Sequence, residues 1–160
     1  IEVTLLVERL SRVFSKQDRY PNVKLLFEKH EDKIQGNLIM IESLLINLIE
    51  NAMRACQENG EVKVIFLSEV SLNQSLIQVI DNGIGMEEAE INKISQPFYR
   101  IDKARSRKAG GVGLGVSLCQ KIIEAHKGSL HYDSKVGEGT KVTVTLPMNI
   151  LQVDNKSLIC

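Results

Sequence analysis

The sequence predicts an α+β domain in which a helical layer packs on one face of a mixed sheet. Three observations predict it. Across residues 38–58, Ile41, Leu44, Leu45, Leu48, Ile49, Ala52 and Cys56 recur at spacings of three and four, which makes one apolar helical stripe. Two apolar runs with strand character, 62–68 and 76–81, follow this helix and are joined by a polar turn around Asn73. Two last runs, 129–134 and 140–146, fold back on each other as a hairpin around Gly137-Glu138-Gly139.

The remaining elements follow in order. Residues 3–15 form a short helical or mixed lead-in, with Leu5, Leu6, Leu10 and Phe14 at helical spacing, and Pro21 interrupts it. Residues 23–28 are rich in large apolar side chains and are predicted to be a strand. Gly36-Asn37 marks a turn and the N-cap of the long helix, and Asn59-Gly60 ends that helix. The pattern from 87 to 113 is irregular and polar. A second helix is expected over 114–126, closed by Lys127-Gly128, and the tail after Pro147 is expected to be loosely attached. The expected organisation is a linker or the end of an upstream helical region over 1–18, one domain over 19–148 and a C-terminal tail over 149–160.

The chain has 160 residues, enough for one domain with a real core, and its 43% apolar and 25% charged content is that of a globular protein. Twenty basic residues balance twenty acidic ones, which argues against a general nucleic-acid binder. Cys56, Cys119 and Cys160 are widely spaced, without metal-ligand spacing, which argues against a zinc site; Cys56 and Cys119 fall within apolar periodic segments and are expected to be buried free thiols in a reducing compartment. No apolar stretch is long enough to span a bilayer. The chain opens at Ile1 rather than methionine, so it is expected to be part of a longer protein whose N-terminus and any membrane anchor lie outside this sequence.

Opposite its apolar stripe, the long helix carries Asn47, Glu50, Asn51 and Arg54 within an arc of roughly 100°. An amide oxygen is a hard ligand suited to Mg²⁺, and an arginine can grip phosphate. Taken alone, the same face also suits a solvated surface with a Glu50–Arg54 pair. Asp81 ends a strand, and Gly83 and Gly85 follow it. Glycine there permits positive φ and close backbone approach to a flat ligand, and a strand-end carboxylate can accept the exocyclic amino proton of adenine. An ordinary Asx-type turn explains these residues equally well in isolation. Gly110-Gly111-Val112-Gly113-Leu114-Gly115 opens the second helix and offers backbone N–H groups to an anion. No Gly-Lys-Ser/Thr follows, so it is not a P-loop. Between the glycine segments lie Arg100, Lys103, Arg105, Arg107 and Lys108, a basic loop of lid-like length.

Together these segments resemble the ATP-binding fold shared by sensor histidine kinases, DNA gyrase, Hsp90 and MutL. The catalytic domain of sensor histidine kinases is the nearest likeness, over residues 20–148. The order is that family's: Asn47-Leu-Ile-Glu-Asn51-Ala52 as N box, Asp81-Asn-Gly-Ile-Gly85-Met86 as first glycine box, Gln96-Pro97-Phe98 as F box, and Gly111-Val-Gly113-Leu-Gly115 as second glycine box. Ala125-His126-Lys127-Gly128-Ser129 and Gly137-Glu-Gly139-Thr140 resemble its closing helix and hairpin. The resemblance implies a two-layer α/β sandwich of Bergerat type, with a mixed, mostly antiparallel sheet and helices on one face.

It also implies roles. Asn51 would hold Mg²⁺, Asn47 would assist at the phosphates of ATP, and Arg54 would contact them. Asp81 would accept from adenine N6, with Gly83, Gly85 and Met86 around the ring and Thr140 supporting Asp81. Phe98 would anchor the lid and Arg100 would approach the γ-phosphate. The backbone from Gly111 through Gly113, Leu114 and Gly115 would bind phosphate. Asn47, Arg54 and Arg100 are thus the implied catalytic residues. Gyrase-like ATPases carry a glutamate where Asn47 stands; an amide cannot act as a general base, which favours transfer to a docked acceptor over hydrolysis.

Two departures stand out: Ala55 replaces the aromatic residue common after the N-box cation, and Gly36-Asn37 replaces Gly-Asp. His30, His126 and His131 lack the acceptor pattern. The phospho-acceptor is therefore expected on an upstream dimerisation domain, in a homodimeric kinase with a response regulator as partner. The domain itself is expected to be cytoplasmic, free of membrane and nucleic-acid contact, and inactive in autophosphorylation by itself. The full-length protein would be a candidate for membrane anchoring. A serine kinase of the anti-sigma-factor type and an ATP-hydrolysing machine are the alternatives on the same fold.

Overall fold

The apolar stripe on the long helix organises the molecule. The computed structural model describes residues 1–16, 19–57, 59–95 and 112–148. In it, helix α2 (Leu38–Cys56) buries Ile41, Leu44, Leu45, Leu48, Ile49, Ala52, Met53 and Cys56, the predicted stripe with Met53 added. Asn37 caps the helix, its side chain accepting the Met40 N–H at 3.1 Å. The helix ends earlier than Asn59-Gly60: Gln57 already has φ 59°, and Gly60 opens a strand. Leu45 is wholly enclosed, so its truncation to alanine is expected to cost about 2–5 kcal/mol.

Five strands form one sheet: β1 (Val23–Lys29), β2 (Gly60–Glu69), β3 (Gln74–Asp81), β4 (Ser129–Lys135) and β5 (Gly139–Pro147). Their spatial order is β1-β2-β3-β5-β4, with β1 parallel to β2 and all other pairs antiparallel. The helix α2 is the crossover that the parallel pair requires. β3 shows the two-residue period of a half-covered strand: Ser75, Ile77, Val79 and Asp81 are buried, and the residues between them are half-buried. Val62, Val64 and Phe66 of β2 and Val142, Val144 and Leu146 of β5 complete the inner face. The helices lie against this face, so the α+β sandwich and its mostly antiparallel sheet are as predicted.

Helix α1 (Val3–Ser15) belongs to the same core through Val3, Leu6, Leu10 and Phe14. Leu5, which the sequence suggested for the stripe, is 45% exposed; the i, i+3, i+7 series starts from Val3 instead. Arg9 donates to Glu42 from Nε at 3.1 Å and Nη2 at 2.8 Å, tying α1 to α2. Helix α3 (Glu88–Ser95) falls where the sequence suggested irregular structure. Its first turn carries Glu88 and Glu90, which favour a helix N-terminus.

Helix α4 (Val112–Ala125) runs back to the start of α2. His126 Nδ1 is 2.7 Å from the Ile122 carbonyl, and Nε2 accepts the Asn37 N–H at 3.0 Å. These two contacts select the neutral ring with its proton on Nδ1. The left-handed residue that follows is Lys127 (φ 53°) rather than Gly128. Gly128 serves close approach instead, since a β-carbon there would strike the Thr145 carbonyl. Residues 149–160, the predicted tail, lie outside the described residues.

A candidate functional site between the long helix and the sheet

Strand register fixes one end of the site. Asp81 is the last residue of β3 and pairs with Thr140 of β5. Its carboxylate Oδ1 accepts the Gly83 N–H at 2.9 Å, an Asx-type turn that folds the chain over the strand end. The side chain is only 7% exposed. Burial pushes its pKa above the usual aspartate value, and the backbone N–H groups of Gly83 and Thr140 partly offset that rise.

The turn after Asp81 is pressed between α2 and the β4–β5 hairpin. The Ile84 N–H donates to the Ala55 carbonyl at 3.1 Å, and the Ile84 carbonyl accepts the Gly137 N–H at 2.8 Å. Gly85 has φ 70°, and a β-carbon there would run into the Lys135 carbonyl. At Gly83 a β-carbon would lie 2.5 Å from the Ala55 carbonyl carbon and oxygen. Both glycines are required by contact, and Gly85 also by conformation.

The other end is a helix face. Asn47, Asn51 and Arg54 are half-buried along α2. Arg54 Nη1 donates to Asn51 Oδ1 at 3.5 Å, the upper limit of a hydrogen bond. Asn47 Nδ2 donates to the Ser43 carbonyl at 2.9 Å, and its Oδ1 faces Gly115 of α4, where a β-carbon would come within 2.9 Å.

Between these ends lies a cavity of about 220 Å³. Leu48, Ala52 and Ala55 of α2 form one wall, with Asn51 and Arg54 at its polar edge. Val79 and Asp81, Tyr132, and Thr140 and Val142 form the sheet side. Gly85, Met86, Ile94 and Val116 close the rest. Pockets for drug-sized ligands measure roughly 300–1,000 Å³. The cavity therefore has the size for a flat base, with polar extensions of a ligand running out toward α2 and α4. Apolar walls with one carboxylate at the inner end suit a heteroaromatic ring with an N–H donor.

Of the residues singled out in the sequence, the cavity gathers Asn51, Arg54, Asp81, Gly85, Met86 and Thr140. Asn47, Gly83 and Gly115 do not line it. Gly113 and Leu114 lie in the first turn of α4. Phe98, Arg100 and Gly111 lie outside the described residues. Ala55 lines the cavity with a methyl group where an aromatic was the family habit. Tyr132, Ile94 and Val116 were missed. For Tyr132 the period-two pattern of β4 was available: Leu130, Tyr132 and Ser134 are half-buried, and the residues between them are exposed. The cavity fits Mg²⁺ chemistry in one respect: among the described residues, Asn51 offers a carbonyl oxygen held by one long contact. Mg²⁺ takes few protein ligands beside phosphate oxygens and water.

This fold and cavity define a class, the ATP-binding domains in which a helix of amide and cationic residues faces a strand-end carboxylate. The family model described as "Histidine kinase-, DNA gyrase B-, and HSP90-like ATPase" matches residues 36–150, and the chain belongs to this family as a histidine-kinase-type catalytic domain that binds nucleotide. It is 38% identical over 137 residues to the sensor histidine kinase WalK of Bacillus subtilis, covering 84% of this chain and 21% of that protein. It is 41% identical over 106 residues to WalK of Staphylococcus saprophyticus, covering 66% of this chain and 17% of that protein. The chain thus spans about a fifth of the length of these relatives. Among solved structures, the nucleotide-free catalytic domain of histidine kinase ThkA superposes with TM-score 0.74 at 26% identity, covering 92% of this chain and 93% of that one. Full-length ShkA in complex with AMPPNP shares the fold, with TM-score 0.74 at 17% identity over 92% of this chain and 30% of that one.

Proposed function

We propose that this chain binds Mg-ATP and donates the γ-phosphoryl group to a histidine on a dimerisation domain preceding it in the full-length protein, a sensor histidine kinase of a two-component system. The observation that carries the reading is the pairing of a buried carboxylate at one end of the cavity with an amide-bearing helix face at the other. Asp81 accepts the adenine N6 proton, with Gly83, Gly85 and Met86 around the ring and Thr140 steadying the carboxylate. Asn51 supplies an oxygen to Mg²⁺, which neutralises phosphate charge when bound. Asn47 and Arg54 orient the phosphates, and the start of α4, with Gly113, Leu114 and Gly115, offers backbone N–H groups to them together with Gly111 just before it in the sequence. Phe98 and Arg100, from the basic segment, hold the lid and meet the γ-phosphate. Catalysis is positioning and charge neutralisation.

Asn47 separates transfer from hydrolysis. Its amide cannot take a proton from water, so the chain favours a docked nucleophile. The full-length protein acts as a homodimer, passes the phosphoryl group to a response regulator, and is anchored at the cell membrane with this domain in the cytoplasm. In the domain itself, no helix among the described residues is long and apolar enough to cross a membrane. Full-length protein incubated with labelled ATP and Mg²⁺ should yield acid-labile phosphohistidine. Acid-stable phosphoserine on a small protein partner, or steady ATP turnover by the isolated chain, would contradict the reading.

A further inference from the structure

We propose that Ser134 is a positioning residue for the nucleotide: its hydroxyl locks the β4–β5 hairpin to the turn that forms the adenine side of the cavity. The inference rests on the nucleotide reading above and extends it to a residue that does not line the cavity.

Ser134 lies on the inner side of β4, two residues after Tyr132. Its Oγ is 2.8 Å from the Met86 N–H nitrogen, 2.8 Å from Thr140 Oγ1 and 3.0 Å from the Gly139 carbonyl oxygen. The Gly139 carbonyl can only accept, so the single Ser134 proton goes to it. The Met86 N–H and the Thr140 hydroxyl then both donate to Ser134 Oγ. All hydrogen-bonding capacity of the hydroxyl is used, and each partner belongs to the site or to the hairpin beneath it. Met86 lines the cavity, and Thr140 pairs with Asp81 and bonds its carboxylate through the backbone.

The Ser134 contact is one of two that flank Gly85. Gly137 N–H holds Ile84 on one side of it, and Ser134 holds Met86 on the other. Residues 84–86 are therefore registered against 134–137 as a short rung, with Gly85 packed on the Lys135 carbonyl. Without the hydroxyl, the Met86 N–H and the Thr140 O–H both lose an acceptor. The turn then has one anchor on the hairpin, and Met86 and Thr140 lose their fixed relation to Asp81.

The test compares Ser134→Thr with Ser134→Val, which share a shape and differ in the hydroxyl. ADP binding to the 160-residue chain is measured by calorimetric titration, at a temperature where circular dichroism shows each variant folded. Ser134→Thr should stay within about twofold of wild type, and Ser134→Val should lose roughly tenfold, the worth of one or two hydrogen bonds. The added affinity due to Mg²⁺ should be the same in all three. Amide hydrogen exchange on the wild type gives a readout independent of variant folding: the Met86 N–H should exchange far more slowly than the exposed N–H groups of the same turn. Equal ADP affinity in Thr and Val variants, equal loss in both, or an unprotected Met86 amide would overturn the proposal. Wild type that binds no ADP would instead overturn the nucleotide reading on which it rests.

Discussion

The β3 end of the cavity and the α2 end are built from different materials. At β3, Asp81 is set by strand register, and the turn behind it is clamped by the backbone of Ala55 and Gly137 and by the Ser134 hydroxyl. At α2, the candidate groups are side chains on one helix face: Arg54 rests on Asn51 at 3.5 Å and Asn47 on its own helix backbone. The first end is braced by three contacts from outside the turn. The second can rearrange, because a long contact to Asn51 is easily exchanged for a cation. On the proposed reading, base recognition would be pre-organised and phosphate recognition assembled on binding.

Breaking the braced end should have the largest effect. Gly139 has φ 101° and no room for a β-carbon against the Asp81 carbonyl, whereas Gly137 has φ 82° and open space around it. Gly139→Ala is expected to cost on the order of 3 kcal/mol of stability and most nucleotide binding, and Gly137→Ala only about 1 kcal/mol. Chemical denaturation of the two variants side by side checks this; equal costs would mean that conformation alone, and not contact with β3, sets the hairpin.

Next comes Asp81→Asn. It should weaken ATP binding by about 2 kcal/mol, the worth of a hydrogen bond to a charged acceptor. The apo domain should not lose stability, because the raised pKa means that ionised Asp81 opposes folding. A melting temperature that falls with the substitution would show instead that the carboxylate stabilises the turn.

The same residue predicts a pH dependence of defined sign. A carboxyl whose folded pKa lies above its unfolded value costs stability above that pKa, and the cost is relieved as pH falls through it. ATP affinity should move the other way, falling on acidification as the acceptor is protonated. Affinity and thermal stability measured across mildly acidic pH should therefore diverge in the wild type, and the Asp81 contribution to both should vanish in Asp81→Asn.

Asn51→Ala touches only the adjustable end and should be the mildest, at about 1 kcal/mol and only with Mg²⁺ present. A loss of the same size without the cation would place Asn51 in contact with the nucleotide itself.

The two ends also differed in how far the sequence revealed them. The α2 stripe, its Asn37 cap and the polar face opposite follow from a 3.6-residue period that nothing else imitates over 19 residues. Asp81 was visible as the end of an alternating strand. The bracing of its turn was not, because Ser134 and Tyr132 share a half-buried two-residue pattern with ordinary edge-strand residues. The helix α3 was hidden by length: its eight residues include only two large apolar ones, Ile91 and Ile94. Gln57 and Lys127 take positive φ where the sequence offered Gly60 and Gly128. In both places the glycine was needed for contact, which a local reading of turn chemistry does not see.

The proposed separation of a braced base site from an adjustable phosphate site is tested most directly by calorimetric titration of ATP, with and without Mg²⁺, into wild type, Asp81→Asn and Asn51→Ala. The account predicts that the Asp81→Asn loss is the same in both conditions and recurs with adenosine, while the Asn51→Ala loss disappears when Mg²⁺ is omitted. An Asp81→Asn loss that depends on Mg²⁺, or unchanged binding in both variants, would contradict it.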